Sequence, residues 1–384
     1  MKIIYYSHGF FADCDFPLIR ELQRRGHDLE YYLPVASFRL KSSLLDLGKL
    51  YPKTGIFSAS VYPAFQIYKD EIDLSKVFVV NQTHKQKWHP INLLLQAKLA
   101  LKFIRKKPDI IHITLPPTMM MNLLYLVKDK LVLTLHDPFT HSGKKDKRRE
   151  RDRVRAFRHI NKLILLNKNQ VEGFMNAYKV SRDNIFVSKL GMYDSITRVS
   201  PIPFISKRPY ILFFGLIAEY KGVEFLMRAM QKIHNQHPNV KLVVAGGGKF
   251  YFDTKPFNAL DYIEIHNHYI NVPELAGMLK GCLFSVCPYK DATQSGVIQT
   301  AFSLNVPMVV TNVGALPEVV KDGETGLVVP PCDVDALANA MNHLIEHPEL
   351  LESMRNNIEK NWKPSMGWGP IADKYIECYN TKLL

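Results

Sequence analysis

The sequence predicts an α/β protein built from two Rossmann-like, doubly wound domains. Near-continuous apolar runs of strand length alternate with amphipathic helical patterns, as a parallel sheet covered on both faces requires. The alternation forms two consecutive series, and a proline-containing segment, 200–209, separates them. The chain of 384 residues is long enough for two or three domains, each with its own core.

Strands and helices are predicted in both series. The expected strands are Lys2–Ser7, Asp28–Val35, Asp109–Thr114, Leu131–His136, Lys162–Asn167, Asn184–Leu190, Tyr210–Gly215, Val240–Gly246, Tyr262–His266, Leu283–Pro288, Pro307–Asn312 and Gly326–Val329. Helical patterns such as Phe16–Gly26 and Ile91–Lys106 lie between several of them, and the chain ends in a helical stretch, Trp368–Tyr379. We therefore expect an N-terminal domain at 1–200, a C-terminal domain at 201–364 and a final helix within 365–384.

The cysteines and the apolar runs exclude several classes of protein. The five cysteines are scattered and form no Cys-x-x-Cys pair, so neither a disulfide framework nor a structural zinc site is indicated. No apolar run approaches the ~20 residues of a membrane-spanning helix. The N-terminus lacks the pattern of a signal peptide. We expect a cytosolic protein with reduced cysteines. A further expectation is that it associates peripherally with the inner face of the cytoplasmic membrane.

Charge is distributed unevenly along the chain. The net charge is +14, but residues 1–200 hold 34 basic and 18 acidic residues, and the remainder is slightly acidic. The most basic segment, 144–158, has nine basic and three acidic residues. We expect this segment to contact an anionic membrane surface, and a solvated helix face is the simpler alternative. Nucleic acid is not expected, because no stacking aromatics or binding motif accompanies the basic residues.

A glycine-containing loop in the second half is a candidate anion site. The segment 211–222 is an apolar strand, then Gly215 and a short loop, then Lys221 and Gly222 at the start of a helix. Glycine lets the backbone approach a ligand, the helix start offers N–H donors, and the lysine supplies a point charge for a phosphate oxygen. A plain strand–turn–helix corner with a solvated lysine explains the segment equally well.

A second helix start lies further along the same half. Thr293, Gln294 and Ser295 form a polar cluster before a helix, and Glu318 lies in another helix after the next strand. Ordinary capping by serine or threonine is the simpler interpretation of the cluster. Two helix starts of the phosphate-binding type in one domain nevertheless favour a nucleotide diphosphate as the ligand.

The order of these motifs resembles that of family-4-type retaining glycosyltransferases of the GT-B fold. The resemblance rests on Phe-Phe-Gly…Tyr-Lys-Gly, Gln-Ser-Gly-Val and Val-Val-Thr-Asn-Val-Gly-Ala-Leu-Pro-Glu within Tyr210–Asp335, and on Leu133–Pro138 in the first half. It implies two domains that face each other across a cleft. The C-terminal domain would hold a nucleotide-diphosphate sugar, the N-terminal domain would hold the acceptor, and the final helix would cross back to the N-terminal domain.

The resemblance also implies site residues. The implied donor site comprises Gly215, Lys221, His266, Tyr269, Gln294, Ser295, Gly296, Val297 and Glu318. The implied acceptor site comprises Gly9, His136 and Asp137, and the candidate catalytic residues are His136 and Lys221. Lysine and helix N-termini can stabilise the charge of a leaving diphosphate, so we expect neither a metal nor a cofactor.

The sequence departs from the family pattern at three positions. Leu216 stands where an arginine is common, and Ala292 and Thr300 stand where two glutamates fall when the sequences are aligned on Pro307. A phosphate-binding cation and a carboxylate for the ribose or sugar are thus absent from their usual positions. The candidates to replace them are Asp291, Gln294 and Glu318.

These observations predict a retaining glycosyltransferase. It would move a sugar from a UDP- or GDP-sugar to a saccharide or lipid-linked saccharide during synthesis of a surface polysaccharide. A nucleotide-sugar epimerase or a glucan synthase of the same fold is the alternative among enzymes. A catalytically silent sugar-nucleotide or membrane-binding module is the alternative outside them, and the three departures favour it.

Overall fold

The computed structural model describes residues 1–36, 45–48, 53–139, 147–292 and 294–382. The chain forms two compact units. The first unit is Met1–Gly191 together with Trp368–Leu384, and the second unit is Met192–Gly367. The second unit therefore begins before the boundary predicted at 200 and ends after the boundary predicted at 364.

Strands and helices alternate in both units. The strands are β1 (Lys2–Tyr6), β2 (Asp28–Ala36), β3 (Gly55–Ser58), β4 (Val77–Gln82), β5 (Ile110–Ile113), β6 (Leu131–Leu135), β7 (Lys162–Leu165), β8 (Ile185–Val187), β9 (Tyr210–Phe214), β10 (Lys241–Ala245), β11 (Ile263–His266), β12 (Ser285–Cys287), β13 (Met308–Thr311) and β14 (Gly326–Val329). The helices are α1 (Ala12–Arg24), α2 (Pro90–Arg105), α3 (Lys147–His159), α4 (Val171–Tyr178), α5 (Val223–Ile233), α6 (Lys255–Asn258), α7 (Val272–Gly281), α8 (Gly296–Ser303), α9 (Leu316–Val319), α10 (Val334–Glu346), α11 (Pro348–Asn357), α12 (Lys363–Ser365) and α13 (Trp368–Asn380). Among the described helices, none is long and apolar enough to cross a membrane.

The sheet of the first unit has the strand order β3-β4-β2-β1-β5-β6-β7-β8. Neighbouring strands are parallel, except that β3 pairs antiparallel with β4 at the edge. Neither of these two strands is among those predicted from the sequence. In β3 all four residues are half-buried, so the strand has no alternation of apolar and polar residues to reveal it.

Different helices cover the two faces of this sheet. Ile4 and Ile111 point to one face and pack there with apolar side chains of α2, α3, α4 and a 3₁₀ segment, Met119–Lys130. Tyr5 and His112 point to the opposite face, where α1 and α13 lie against each other. The alternating direction of side chains along a strand explains why neighbouring residues serve different cores.

The last helix, α13, is anchored to the sheet of the first unit by hydrogen bonds. His112 is fully buried, and its two ring nitrogens are bonded to the hydroxyls of Tyr379 in α13 (2.6 Å) and Thr134 in β6 (2.8 Å). Lys162 of β7 donates to the carbonyl of Tyr379 (2.8 Å). His112 is therefore a buried core histidine with a hydrogen-bond partner at each ring nitrogen.

The sheet of the second unit has the strand order β11-β10-β9-β12-β13-β14, and the described pairs are all parallel. The order reverses between β9 and β12, so the carboxyl ends of these strands form a topological switch point. Open α/β sheets bind ligands at such points. The predicted fold class, two doubly wound α/β domains with parallel sheets, is confirmed.

The second unit begins early because a segment before the predicted boundary packs onto it. The N–H of Met192 donates to the carbonyl of Met366 (3.3 Å). The 3₁₀ turn Asp194–Arg198 packs against α7 and α8 and buries Ser195 and Ile196. The prolines that marked the predicted boundary lie after this turn, so they do not coincide with the change of unit.

Candidate functional site

Two glycines allow the loops of the switch point to touch. Gly215, directly after β9, has a φ of +113°, and a Cβ there would lie 3.3 Å from Cγ2 of Val297 in α8. Gly222, at the start of α5, has a φ of +63°, and a Cβ there would overlap the carbonyl oxygen of Pro288 after β12. Positive φ and close approach both require glycine. The loops after β9 and β12 therefore present their backbones at the same place.

Lys221 is held beside these loops by an aromatic ring. Its Nζ lies 3.7 Å from the ring centroid of Tyr289, which is fully buried, in a cation–π geometry. The hydroxyl of Tyr289 is 3.2 Å from Oγ of Ser295, and Thr311 donates to the carbonyl of Tyr289 (2.7 Å). Tyr289 thus links the ammonium group of Lys221 to the N-terminus of α8, where the helix dipole favours anions.

The start of α8 carries a covering ring and a buried donor. A Cβ at Gly296 would lie 2.6 Å from Cε2 of Tyr193, so the ring of Tyr193 packs directly on this glycine. Nε2 of Gln294 is buried and has no hydrogen-bond partner among the described residues. Thr293 of the predicted polar cluster lies outside the described residues. A buried amide without a partner is costly, which favours a ligand that would accept from it.

Glycine backbone also joins the loops after β10 and β11 to the switch point. A Cβ at Gly246 would overlap the carbonyl oxygen of Gly215, and a Cβ at Gly247 would lie 3.6 Å from the backbone nitrogen of Tyr269. Tyr269, a residue of the implied donor site, is therefore connected to the Gly215 loop through two glycines. The three loops line the carboxyl edge of neighbouring strands β11, β10 and β9.

The imidazole of His266 is paired with the carboxylate of Glu264. Its Nε2 lies 2.6 Å from Oε1 of Glu264, two residues earlier on the edge strand β11, and the other oxygen of Glu264 binds Lys241. Burial acts to raise the pKa of Glu264, but its hydrogen bonds to Lys241 and His266 outweigh burial and lower that pKa. A ligand at this edge would meet a histidine that is oriented by an ionised partner.

The residues at the three positions that depart from the family pattern do not replace the missing cation and carboxylate. Leu216 is exposed, and Ala292 is buried. The hydroxyl of Thr300 donates to the carbonyl of Gly296 within α8 (2.8 Å), so it serves its own helix. Glu318 is half-buried in the short helix α9, after β13, the strand next to β12. Asp291, half-buried in the loop after β12, and Glu318 are therefore both predicted substitute carboxylates that follow strands at this sheet edge.

The predicted acceptor residues lie at the carboxyl ends of β1 and β6 in the first unit. The imidazole of His136 stacks on Phe11 with ring centroids 3.8 Å apart and planes 9° apart. Phe11 belongs to the 3₁₀ turn Gly9–Phe11, so this stacking brings the Gly9 turn beside His136. Asp137 is exposed, and its carbonyl accepts a hydrogen bond from Arg153 of α3.

His136 is neutral at pH 7. Burial lowers its pKa to about 4, although the charge of Asp137 acts in the opposite direction. Its Nε2 is buried and finds no hydrogen-bond partner within the described part of the chain. A neutral imidazole with an unused ring nitrogen is suited to bind a sugar hydroxyl, as donor or acceptor according to its tautomer.

Cys14, Asp15 and His136 could hold a metal ion, because their ligand atoms lie within 4.8 Å of one another. The carboxylate of Asp15 already accepts from the hydroxyls of Tyr5 (2.9 Å) and Tyr31 (3.0 Å), and the thiol of Cys14 donates to a backbone carbonyl (3.0 Å). Burial raises the pKa of Asp15 to about 7, against these hydrogen bonds. The group is thus a hydrogen-bonded cluster that does not require a metal.

The predicted basic segment falls mainly on α3, and its residues 144–146 lie outside the described ranges. Ala156 and Phe157 of α3 are buried in the core of the first unit. The exposed side chains of α3 are Lys147, Arg148, Arg149, Arg151, Arg155, Arg158 and His159. The outward face of this helix therefore presents positive charge without large apolar side chains.

Sequence reasoning missed three aromatic residues of the candidate sites. Tyr289 positions Lys221, Phe11 stacks on His136, and Tyr193 packs on the start of α8. In all three pairs the partners are far apart in the sequence, and no spacing rule connects them. The only available signal was position, since all three follow the carboxyl end of a predicted strand.

Two glycosyltransferase family models match the chain. Residues 17–191 match the model described as Glycosyltransferase Family 4. Residues 208–347 match the model described as Glycosyl transferases group 1. The first match lies within the first compact unit and the second match lies within the second. Neither match reaches both ends of its unit.

Individual proteins show the same relationship. The chain is 29% identical over 181 residues to an uncharacterized glycosyltransferase of Methanocaldococcus jannaschii, a match that covers 44% of each protein. The chain spans about half the length of the curated relatives that it matches.

Solved structures resemble the chain over nearly its whole length. Sucrose-phosphate synthase from Thermosynechococcus elongatus has a TM-score of 0.71 at 16% identity, with 99% of this chain and 98% of that chain covered. HepE from Anabaena, in complex with UDP-glucose, has a TM-score of 0.70 at 14% identity, with 98% of each chain covered. At these identities the likeness to solved structures shows the fold alone. The two family models, taken together with this fold, show that the chain belongs to the family-4-like group of GT-B glycosyltransferases.

Proposed function

We propose that this protein transfers a sugar from UDP or GDP to a saccharide or lipid-linked saccharide in the synthesis of a surface polysaccharide. The observation that carries the proposal is the switch point, where Tyr289 links Lys221 to the N-terminus of α8 beside the Gly215 loop. A diphosphate matches this arrangement, because it needs both a cation and amide donors. The UDP-glucose bound to the structural neighbour HepE supports the donor class.

In the proposed reaction, the bond between the anomeric carbon of the sugar and the diphosphate oxygen breaks. Negative charge then develops on the leaving diphosphate. Lys221 and the N–H groups of Ser295, Gly296 and Val297 stabilise that charge, which is usually the largest contribution to catalysis. These groups act without a divalent metal. The acceptor hydroxyl attacks the face from which the diphosphate leaves and passes its proton to the departing diphosphate oxygen, so the configuration of the sugar is retained.

Other predicted residues bind and orient in this proposal. His266 and Tyr269 contact the base of the nucleotide. Gln294 and Glu318 replace part of the contacts that the family pattern makes through its arginine and glutamates. In the first unit, His136 binds a sugar hydroxyl through its unpartnered Nε2, and Gly9 and Asp137 border the acceptor. The low pKa of His136 supports its role, because a neutral imidazole can both donate and accept hydrogen bonds.

We also propose that the basic face of α3 attracts an anionic membrane surface on its cytoplasmic side, where a lipid-linked acceptor would be met. The exposed lysine and arginines of α3 support this partner. Each basic residue near an anionic leaflet contributes about 1 kcal/mol. The attraction is electrostatic and weakens as salt is added.

The substitution Lys221→Ala tests the donor site. We expect turnover to fall about 100-fold or more, because the charge that stabilises the leaving group is lost. Lys232→Ala is the matched control, since Lys232 is an exposed lysine of α5 that pairs with Asp335. Nucleotide release upon addition of acceptor is the measurement, with circular dichroism to show that both variants are folded.

Two results would count against the proposed function. Near-normal nucleotide release by the Lys221→Ala variant would remove the role of the lysine. Binding of UDP- or GDP-sugars by the unmodified protein, without release over a broad acceptor panel, would favour the catalytically silent module. The character of Leu216, Ala292 and Thr300 agrees with that second candidate.

A further inference from the structure

Helix α2 exposes apolar side chains on the face that points away from the sheet. Ile91, Leu94 and Leu101 are exposed, and 56% of Leu94 is accessible to solvent. Leu99 and Phe103, on the opposite face, are buried in the core of the first unit. The spacing of the three exposed residues places them on one side of the helix. The helix is thus apolar on two faces, and the core uses only one of them.

Neighbouring side chains extend this exposed apolar surface. Trp88, directly before the helix, is 64% exposed. Leu126, in the 3₁₀ segment that packs on α2, is 76% exposed. Single exposed apolar residues are ordinary, whereas several of them on one element mark an interaction site. We call Trp88, Ile91, Leu94 and Leu101 the α2 face.

The chain segment that carries the α2 face is basic. Residues 74–108 contain eight lysines and arginines and no aspartate or glutamate. Lys98 and Arg105 are exposed on the same side of α2 as the apolar residues, and Lys85 and Lys87 are exposed beside the tryptophan. Apolar side chains bordered by basic residues, without acidic ones, are typical of helices that lie in the interface of an anionic bilayer.

The α2 face and the basic face of α3 belong to the same layer of the first unit. The 3₁₀ segment packs on α2, and its Tyr125 ring lies 5.0 Å from the ring of His159 in α3. Arg148 of α3 also contacts the sulfur of Met119 in this segment (3.7 Å). The exposed side chains of α3 are mainly lysine and arginine, whereas the exposed face of α2 combines apolar side chains with Lys98 and Arg105. Charge attracts a membrane from a distance, and apolar side chains insert into it.

We propose that the α2 face inserts into the interfacial region of an anionic lipid bilayer. This inference deepens the membrane part of the proposed function, and it rests on residues that the proposal for α3 does not use. Charge complementarity selects the lipid surface, because the lysines and arginines of residues 74–108 repel a basic partner and attract phosphate headgroups. The assay below needs no donor or acceptor, so its outcome is independent of the chemistry at Lys221.

Trp88 provides a direct readout of insertion. Of the three tryptophans, Trp362 and Trp368 are buried, so a change in emission on membrane contact reports on Trp88. Vesicles of phosphatidylcholine and phosphatidylglycerol should shift the emission to shorter wavelength. Brominated lipids in the same vesicles should quench it. The Trp88→Phe variant should lack both signals. Unchanged emission from protein that has sedimented with the vesicles would overturn the proposal.

Polar substitution of the α2 face gives a second test. The variant with Ile91→Ser, Leu94→Ser and Leu101→Ser should partition onto these vesicles about tenfold less than the unmodified protein, because apolar insertion is lost. A control variant with Val61→Ser and Ile67→Ser changes exposed apolar residues outside the α2 face. Its partitioning should not change. Thermal unfolding should show that both variants are folded.

The arginines of α3 separate attraction from insertion. Arg148→Gln, Arg149→Gln and Arg151→Gln together should reduce vesicle binding at low salt, while brominated lipids still quench Trp88 in the fraction that binds. Equal partitioning of the serine variant and the unmodified protein would overturn the proposal. So would a dimer, seen by light scattering, that the serine variant dissociates without any effect of vesicles, because the α2 face would then bind a second copy of the chain.

Discussion

At the scale of single residues, two glycines with similar positive φ angles differ in what surrounds them. Gly222 has a φ of +63° and Gly323 a φ of +74°. A Cβ at Gly222 would overlap the carbonyl oxygen of Pro288, whereas a Cβ at Gly323 would have no described atom within 4 Å. The left-handed conformation explains both glycines, but only Gly222 is also required by close packing of two loops.

This difference predicts unequal effects of alanine. Gly323→Ala should lower the free energy of unfolding by about 1–2 kcal/mol, the cost of a left-handed alanine. Gly222→Ala should cost more, about 2–4 kcal/mol, because the loop after β12 must move as well. It should also weaken nucleotide binding, since Lys221 is the preceding residue. Urea denaturation of both variants measures the difference, and equal losses would contradict the close packing.

At the scale of elements, helix α13 is joined to the sheet by a histidine that remains neutral. Burial lowers the pKa of His112 to about 3, and the nearby His136 contributes in the same direction. The ordinary pKa of histidine, near 6.5, applies to the unfolded chain. Between these values the unfolded state binds a proton that the folded state does not. His112 therefore favours folding above pH ~6.5 and loses that contribution as the pH falls.

Two other buried groups act in the same range of pH. His136, with its pKa lowered to about 4 by burial, has the same sign as His112. Asp15 has the opposite sign, because burial raises its pKa to about 7 and the folded state holds a proton that the unfolded state releases above pH ~4. The net slope of stability against pH thus combines three groups, and a variant is needed to isolate one of them.

The substitution His112→Asn isolates the contribution of His112. The variant should be less stable at pH 7, because the hydroxyls of Tyr379 and Thr134 lose their partner. Between pH 6.5 and 4.5, however, its free energy of unfolding should fall less steeply than that of the unmodified protein, by roughly 1 kcal/mol per pH unit. Thermal or urea unfolding at several pH values measures both slopes. Parallel curves would mean that His112 is not neutral in the fold.

At the scale of the whole molecule, the two compact units differ in charge and in candidate chemistry. The first 200 residues hold the entire excess of positive charge, and the α2 face and α3 lie there. The Gly215, Lys221 and α8 arrangement lies in the second unit, which has its own sheet and core. The proposed nucleotide site and the proposed membrane contact therefore lie in separate units, and each proposal can be tested without the other.

Hydrogen exchange can test this assignment for the nucleotide. Saturating UDP or GDP should slow exchange most in peptides that cover 215–222 and 294–299, because bound phosphates would accept from those amides. The Gly323–Gly326 turn, in the same unit but in a different loop, serves as the internal control. Strongest protection outside the switch point would contradict the proposed donor site, whichever nucleotide produced it.

Several candidate donor residues could be proposed from the sequence alone because their signals are local. A buried strand followed by glycine and then a lysine at a helix start can be recognised within 12 residues of sequence. The same holds for the polar cluster before α8. Tyr289 was not predictable, because its effect on Lys221 arises between two loops that follow different strands. Phe11 was missed for the same reason, since only the fold places it on the ring of His136.

The sequence by itself determined the alternation of strands and helices, the two doubly wound units and the residues of the glycine loops. These features follow from local patterns, since burial on both faces of a parallel sheet leaves a continuous apolar run in the chain. Only the tertiary structure decided that the second unit begins at Met192, that β3 runs antiparallel, and which aromatic ring meets which functional side chain. Crossover connections bring distant loops to one sheet edge, and contacts between such loops leave no periodic trace in the sequence.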